Sequence, residues 1–122
     1  MKLFILFAMI FAHIVDDYYL QGILAKMKQK KWWQENAPSR LYRNDYIVAL
    51  IMHSFSWSFM ITLPTLFIST NYVIMVLFII FNTVLHAYVD DAKANKYAIN
   101  LIVDQICHLI QITITWIAII IV

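Results

Sequence analysis

Histidine and aspartate residues recur at a helical spacing inside the apolar stretches of this 122-residue chain. Three pairs are four residues apart: His13 and Asp17, His86 and Asp90, and Asp104 and His108. In a helix, side chains with this spacing project from the same face. The fourth histidine, His53, has no such partner and is flanked by serines. Because imidazole and carboxylate groups together bind divalent transition metals, the pattern predicts a metal site.

The chemistry predicted for this site is metal-dependent hydrolysis. The expected metal ligands are His13, Asp17, His53, His86, Asp90, Asp104 and His108. They would hold one or two ions, with zinc preferred and iron or manganese as alternatives. Such an ion makes hydroxide available at neutral pH. One of the three catalytic carboxylates, Asp17, Asp90 or Asp104, would then stay free as a general base.

Five further polar residues lie close to these positions and are expected to support them. They are Asp16, Gln21, Asp91, Lys93 and Gln105. Their predicted role is to orient the metal ligands through hydrogen bonds. Lys93 follows Asp90 by about one helical turn, so it is also a candidate to hold a phosphate or carboxylate group of a substrate.

The elements that carry these residues must be membrane-spanning helices. Hydrophobic residues make up 63% of the chain and charged residues 13%, whereas soluble domains have about 45–50% and about 25%. So short a chain cannot enclose this much apolar surface in water. The sequence therefore predicts an all-α integral membrane protein, a four-helix bundle forming a single domain over residues 1–122.

Four apolar stretches are long enough to cross a bilayer, which takes about 20 helical residues. The predicted spans cover residues 3–25, 46–68, 72–92 and 97–122. The segment 26–45 between the first two spans is predicted to be an interfacial loop. Strands are excluded in lipid because only a helix or a closed barrel satisfies its own backbone, and these stretches are too long for barrel strands.

The basic residues predict how the bundle is oriented. They concentrate in two connections: Lys26, Lys28, Lys30, Lys31, Arg40 and Arg43 precede the second span, and Lys93 and Lys96 precede the fourth. The positive-inside rule places both connections in the cytoplasm and both termini outside. The predicted location is the inner (plasma) membrane, crossed several times. Trp32 and Trp33 fit a segment at the headgroup level.

Depth in the bilayer supports a single site. With a rise of 1.5 Å per residue, the four histidines, Asp17 and Asp104 lie roughly 9–16 Å from the cytoplasmic ends of their helices. Up-and-down threading therefore places them in one layer, in the cytoplasmic half of the membrane. Ionisable groups at this depth are costly and need partners.

Other classes of function fit the same residues. His and Asp chains also relay ions or protons in transporters, and a polar network can be purely structural. A transport route would need polar groups in the outer halves, which are nearly all apolar and offer few, such as Asn82, Thr83, Gln111, Thr113 and Thr115. A closed site is therefore favoured. A third class is a non-enzymatic accessory or effector protein that binds a membrane partner through residues 26–43.

Several sites and partners are excluded or left open by composition. A single glycine rules out a phosphate-cradling loop, and the serines lack the context of a serine hydrolase. The basic segment is tethered to the membrane, so lipid is the expected partner and nucleic acid is not. A homodimer is compatible with four short spans. The favoured function is a hydrolase acting on a membrane-proximal or lipid-linked substrate at the cytoplasmic side.

Four short motifs together resemble one known family. They are HIVDDYYLQ from His13, His53 alone, HAYVDDAK from His86 and DQICH from Asp104. The combination resembles small bacterial and phage inner-membrane proteins described only as a domain of unknown function, with the pattern HxxxDFxLQ, His, HxxxDxxK and DQxxH over essentially the whole chain.

The resemblance implies a membrane fold and a set of characteristic positions, and it supplies no activity. Those positions are His13, Asp17, Gln21, His53, His86, Asp90, Lys93, Asp104, Gln105 and His108. This chain departs from the pattern at Tyr18, where phenylalanine is usual, and has additional acids at Asp16 and Asp91. A looser similarity to membrane-bound metal-dependent hydrolases is an analogy of residue spacing only.

Overall fold

The computed structural model describes residues 1–121, and these residues contain helices, turns and loops but no strand. The helices are α1 (Lys2–Val15), α2 (Leu24–Met27), α3 (Lys30–Asn36), α4 (Asp45–Thr62), α5 (Tyr72–Ala94) and α6 (Leu101–Ile121). A π-helical segment, Asp16–Leu20, extends α1, and a 3-10 segment, Leu63–Phe67, extends α4. A separate 3-10 turn covers Arg40–Tyr42.

Four helical segments are long and apolar enough to cross a membrane: Lys2–Leu20, Arg40–Phe67, Tyr72–Ala94 and Leu101–Ile121. The prediction of a multi-pass helical membrane protein is thereby confirmed at this level. The direction of insertion and the identity of the membrane stay predictions.

The four long helices close into a ring. α4 contacts α1 on one side and α5 on the other, and α6 also contacts both α1 and α5. The short connection between α4 and α5 makes these neighbours antiparallel. Each long helix therefore presents one face to a shared interior and the opposite face to the surroundings.

The interior is more polar than the surface, which is the reverse of a soluble protein. Phe4, Phe7 and Phe11 on α1 are exposed, as are apolar residues along α5 and α6. Among the described residues, buried polar and charged side chains outnumber buried apolar ones. In lipid this distribution is stable because apolar side chains gain from facing the acyl chains while polar groups satisfy one another inside.

The bundle has an apolar half and a polar half. The apolar half is a buried cluster of Ile5, Met9, Trp57, Ile61 and Ile112, contributed by α1, α4 and α6. The polar half lies beside it, around the buried histidines and aspartates of the four long helices. The convergence of these residues in one layer follows from their equivalent heights on antiparallel neighbours.

The first span ends earlier than predicted. Helical structure stops at Leu20 rather than near residue 25, and Gly22 adopts a φ of 54°. Glycine populates this left-handed region without steric cost, so the chain can turn here. The short helices α2 and α3 follow, and they occupy much of the segment 26–45 that was predicted as an interfacial loop. The fourth span likewise begins at Leu101 rather than near residue 97, after Tyr97 with a φ of 53°.

Candidate metal centre

The π-helical segment delivers two consecutive aspartates to the interior. In a regular α-helix, neighbouring residues point about 100° apart, so only one of them faces a given helix. The wider π turn at Asp16–Leu20 relaxes this restriction. Asp16 is buried against α4, and the Asp17 side chain is 10% exposed. Asp16 therefore belongs to the polar layer itself rather than to its periphery.

All three histidine and aspartate pairs with four-residue spacing are in contact within their own helices. The ring nitrogen and carboxylate oxygen are 3.5 Å apart in His13 and Asp17 and 3.7 Å apart in His86 and Asp90. The corresponding distance in Asp104 and His108 is 3.3 Å. Helical geometry alone produces these contacts.

The first cluster of suitable ligand atoms contains Asp17, His53 and His86, with all three atoms within 4.8 Å of one another. The Asp17 Oδ1 atom lies 3.2 Å from His53 Nε2 and 3.9 Å from His86 Nε2. The two Nε2 atoms are 3.1 Å apart. Three different helical segments contribute, so the cluster exists only in the folded bundle.

The second cluster contains His86, Asp90 and His108 and meets the same 4.8 Å criterion. Asp90 Oδ2 is 3.7 Å from His86 Nε2, and Asp90 Oδ1 is 3.7 Å from His108 Nε2. The two imidazole rings stack with centroids 4.2 Å apart. His86 belongs to both clusters and is the residue on which the arrangement centres.

His13 lies outside both clusters, and other side chains engage its two ring nitrogens. The indole N–H of Trp57 donates to His13 Nδ1 at 2.8 Å. Since an indole can only donate, Nδ1 is an acceptor and the proton resides on Nε2. Nε2 then donates to Gln105 Oε1 at 3.0 Å. This arrangement places His13 as a neutral support beside the clusters.

Two lysines enter the polar layer. The Lys28 ammonium is 2.6 Å from Asp90 Oδ2, and the Lys93 ammonium is 2.6 Å from Asp104 Oδ2. Lys28 is only 7% exposed. Asp104, held by Lys93 and His108, also lies outside the two clusters of ligand atoms.

The charges of the layer do not balance. The aspartates at 16, 17, 90 and 104 carry four negative charges when ionised, and Lys28 and Lys93 supply two positive ones. With neutral histidines, two negative charges remain in an interior of low dielectric, where uncompensated charge is costly. One divalent cation, or two protons taken up by the histidines, would neutralise them.

The nitrogen and oxygen atoms of these side chains are also suitable ligands for a divalent transition metal. Buried polar atoms normally have hydrogen-bond partners. Within residues 1–121, however, His53 Nδ1 and His86 Nδ1 are buried and have none, and His108 Nε2 and Asp104 Oδ1 have only each other, at 3.3 Å. Nitrogen and oxygen ligand atoms, together with the excess negative charge, describe a site that zinc, iron or manganese could occupy.

The chain matches a known protein family. The family described as protein of unknown function (DUF3307) matches residues 5–122, which include every residue of the two clusters. The chain belongs to this family. No curated protein and no solved structure matches it. DUF3307 membership thus agrees with the resemblance to a family of unknown function.

The supporting residues predicted for this DUF3307 chain divide into two groups. Asp16 accepts a 2.6 Å hydrogen bond from Ser56 and lies 3.6 Å from His53 Nδ1. Gln105 bridges the layer, because its amide also donates to Asp104 Oδ2 at 3.1 Å. Asp16 therefore reaches a cluster directly, through His53, whereas Gln105 joins His13 to Asp104 beside the clusters.

The second group acts further from the clusters. Gln21 donates to the Asp17 carbonyl oxygen at 2.9 Å and so holds the end of the π-helical segment. Asp91 faces away, pairing with Lys96 at 3.2 Å and accepting from Asn95 at 2.8 Å. Asn95 in turn donates to the Lys28 carbonyl oxygen at 3.0 Å. Asp91 therefore supports the segment that carries Lys28, and no histidine or other aspartate of the described chain contacts it.

Two residues of the site, Lys28 and Trp57, were not expected there from the sequence. Lys28 was one of several loop lysines, and only the turn at Gly22 brings it back into the bundle. Trp57 stacks on His86 with centroids 4.2 Å apart, besides bonding His13. Its position four residues after His53 was a usable signal, since the two share a helix face.

Proposed function

We propose that this DUF3307 protein is a membrane-embedded metal-binding protein, and that it is a hydrolase acting on a membrane-proximal or lipid-linked substrate at the cytoplasmic side. The observation that carries the proposal is the pair of overlapping clusters sharing His86. The burial of the clusters and the two negative charges left in the layer when the histidines are neutral both favour a divalent cation. Zinc is preferred, with iron and manganese as alternatives, in one or two ions.

Different residues of the chain would have different roles at such a site. Of the residues in the two clusters, those that would hold the metal are His53, His86, His108 and Asp90, and Asp17 would stay free. Lys28 contacts Asp90 Oδ2, the same oxygen that faces His53 and His86, and so holds the carboxylate in place. A bound divalent metal supplies Lewis acidity and makes hydroxide available from water at neutral pH. The surrounding apolar half of the bundle limits access by water from that direction.

Asp17 is the carboxylate best placed to accept a proton. It faces the clusters, and no lysine of residues 1–121 pairs with it, whereas Asp90 and Asp104 each contact an ammonium group. It is also more exposed than they are, at 10% against 2% or less. A general base needs both reach and freedom from a fixed cation, so we assign this role to Asp17.

Lys93 would serve substrate binding from the rim of the site. Its side chain is 30% exposed while its ammonium remains 2.6 Å from Asp104. An anionic substrate group approaching from this side would share that ammonium with Asp104. A substrate would therefore enter from the end of the bundle that carries the basic connections.

The experiment that tests hydrolysis uses purified, chelated protein reloaded separately with zinc, iron or manganese. Each preparation is incubated with a detergent-solubilised extract of bacterial membrane lipids, and released products are measured by mass spectrometry. We expect product release that requires the metal and disappears in His86→Gln. Metal binding without any metal-dependent product would contradict the hydrolase and leave the metal site standing.

A second candidate function is proton or ion transfer, and one observation favours it. Buried polar groups continue from His108 into the apolar half. His108 Nδ1 lies 3.3 Å from Gln111 Oε1, Thr115 donates to the Gln111 carbonyl oxygen at 2.8 Å, and Asn82 donates to Thr115 at 2.8 Å. Asn82 Oδ1 and Gln111 Nε2 have no partner within residues 1–121.

Proteoliposomes with an imposed pH gradient separate the two candidates. A closed metal site predicts no dissipation of the gradient beyond that of empty vesicles. Dissipation that is lost in Asn82→Leu, while the exposed substitution Thr113→Val has no effect, would favour transfer along the buried polar groups.

A further inference from the structure

A cavity lies apart from the metal centre, where α3 and the Arg40–Tyr42 turn meet the first turn of α4. Its volume is about 370 Å³. Its charged and aromatic lining residues are Lys30, Trp33, Arg40, Tyr42, Arg43 and Tyr46, and no carboxylate lines it. We call it the basic cavity.

The positive charge of the basic cavity is not neutralised by the protein. Within residues 1–121, no carboxylate oxygen forms a salt bridge, at 4.0 Å or less, with a side-chain nitrogen of Lys30, Arg40 or Arg43. The nearby Glu35 pairs instead with Lys31 at 3.7 Å, on the outside of α3. The Lys30 ammonium lies over the Tyr46 ring at 4.8 Å, which holds it at the cavity wall.

An apolar hollow of about 210 Å³ adjoins the basic cavity. Its apolar lining is Leu24, Met27, Val48, Ala49 and Met52, and Asp45 lines it at the start of α4. Trp33 lines both spaces. The indole is fixed as a partition, because its N–H donates to the Met27 carbonyl oxygen at 2.7 Å and its ring stacks on Tyr42.

We propose that the basic cavity binds the phosphate headgroup of an anionic lipid, with an acyl chain of that lipid along the adjoining apolar hollow. Arginine guanidinium groups match phosphate oxygens in geometry and charge. A soluble phosphate would use only the basic cavity. A lipid uses both spaces, and both lie at the end of a membrane-spanning segment beside interfacial tryptophans.

This inference goes beyond the proposed function, because it depends on different residues from the metal centre. The protein's own contacts hold this region against α5, because the Lys30 N–H donates to Asn95 Oδ1 at 2.7 Å and the Lys28 ammonium contacts Asp90. Lipid binding at α3 is therefore expected to be measurable whether or not metal is present.

The test is competition between two lipids with identical acyl chains, phosphatidic acid and phosphatidylcholine, at equal concentration. Native mass spectrometry of the full-length protein in detergent measures the occupancy ratio. The variant is Arg40→Gln with Arg43→Gln. The matched control is Lys26→Gln with Lys31→Gln, which removes the same charge from exposed residues outside the cavity.

We expect the wild type to prefer phosphatidic acid. A basic residue near an anionic surface contributes about fivefold in affinity, so the arginine variant should lose at least about tenfold in the ratio. The lysine control should change it less than about twofold. An equal loss in the control, or no preference in the wild type, would overturn the basic cavity as the site.

A competition on the unmodified wild type distinguishes the source of the phosphate and does not depend on the variants folding. Glycerol 3-phosphate carries the same headgroup chemistry without acyl chains. A hundredfold excess of it should leave phosphatidic acid bound. Displacement at that excess would show that a soluble phosphate fills the cavity, and would overturn the assignment to lipid.

Discussion

Replacing Lys28 with methionine tests the buried ion pair that the sequence did not reveal. The substitution keeps the length and the apolar stem of the side chain but removes the ammonium 2.6 Å from Asp90. Because Lys28 is 7% exposed and Asp90 1% exposed, solvent cannot replace the lost cation. Removing one partner of a buried pair costs about 3–5 kcal/mol.

The assay is unfolding of chelated protein in mixed detergent micelles, followed by far-UV circular dichroism. Lys26→Met is the matched control, since Lys26 is an exposed lysine in α2, two residues before Lys28. We expect Lys28→Met to lower the free energy of unfolding by about 3–5 kcal/mol and the control by less than about 0.5 kcal/mol. Equal stabilities of the two variants would refute the buried pair.

A double variant shows whether the cost arises from the charge left on Asp90. Combining Lys28→Met with Asp90→Asn removes both charges, so the loss should be smaller than the sum of the two single losses by at least about 1 kcal/mol. Additive losses would mean that Lys28 and Asp90 act independently. Adding zinc to Lys28→Met should restore part of the stability, since the cation neutralises the same carboxylate.

Three further predictions concern the turn at Gly22, the hydrogen bond of Trp57 and the orientation in the membrane. Gly22→Ala should lower the free energy of unfolding by about 1–2 kcal/mol, because the residue has a φ of 54° while the nearest atom to an added Cβ is 3.9 Å away; unchanged stability would contradict the strained turn. Trp57→Phe should cost about 1–3 kcal/mol in the same measurement, since it keeps an aromatic ring near His86 but removes the donor to His13. Lys31→Cys, in a Cys107→Ala background, should react with an impermeant maleimide only from the cytoplasmic face; reaction from the outer face would reverse the predicted orientation.

Most of the fold could be predicted from the length of the apolar stretches and from the helical spacing of the polar residues. The four long helices follow from apolar stretches of about 20 residues, which only helices can carry through lipid. The contacts of His13 with Asp17 and of His86 with Asp90 follow from four-residue spacing, which depends on one helix alone. These features are local, so a single sequence contains them.

Which residues form the site depends on contacts between helices. These contacts are harder to predict from a single sequence. His13 has the same spacing signal as His86, and only its tertiary contacts with Trp57 and Gln105 distinguish it. Lys28 reaches the interior because the chain turns at Gly22, which moves a nominal loop residue into the bundle.

Two pairs of neighbouring aspartates illustrate what helical periodicity can predict and what it cannot. Asp90 faces inward and Asp91 faces Lys96, as expected for neighbours about 100° apart on an α-helix. Asp16 and Asp17 both face inward because the local helix is of the π type. Asp91 was expected to orient the metal ligands, although helical periodicity points it away from Asp90, whereas the inward position of Asp16 requires knowledge of the backbone.

The central claim is that the two clusters sharing His86 hold a divalent metal, and the most direct test is the metal content of purified protein by plasma mass spectrometry. Wild type, His86→Gln and Asp91→Asn are compared, the last because Asp91 is an acid outside the clusters. We predict one or two equivalents of zinc, iron or manganese in wild type and Asp91→Asn, and none in His86→Gln. Folded wild-type protein that stays metal-free after incubation with each of the three metals would contradict the account.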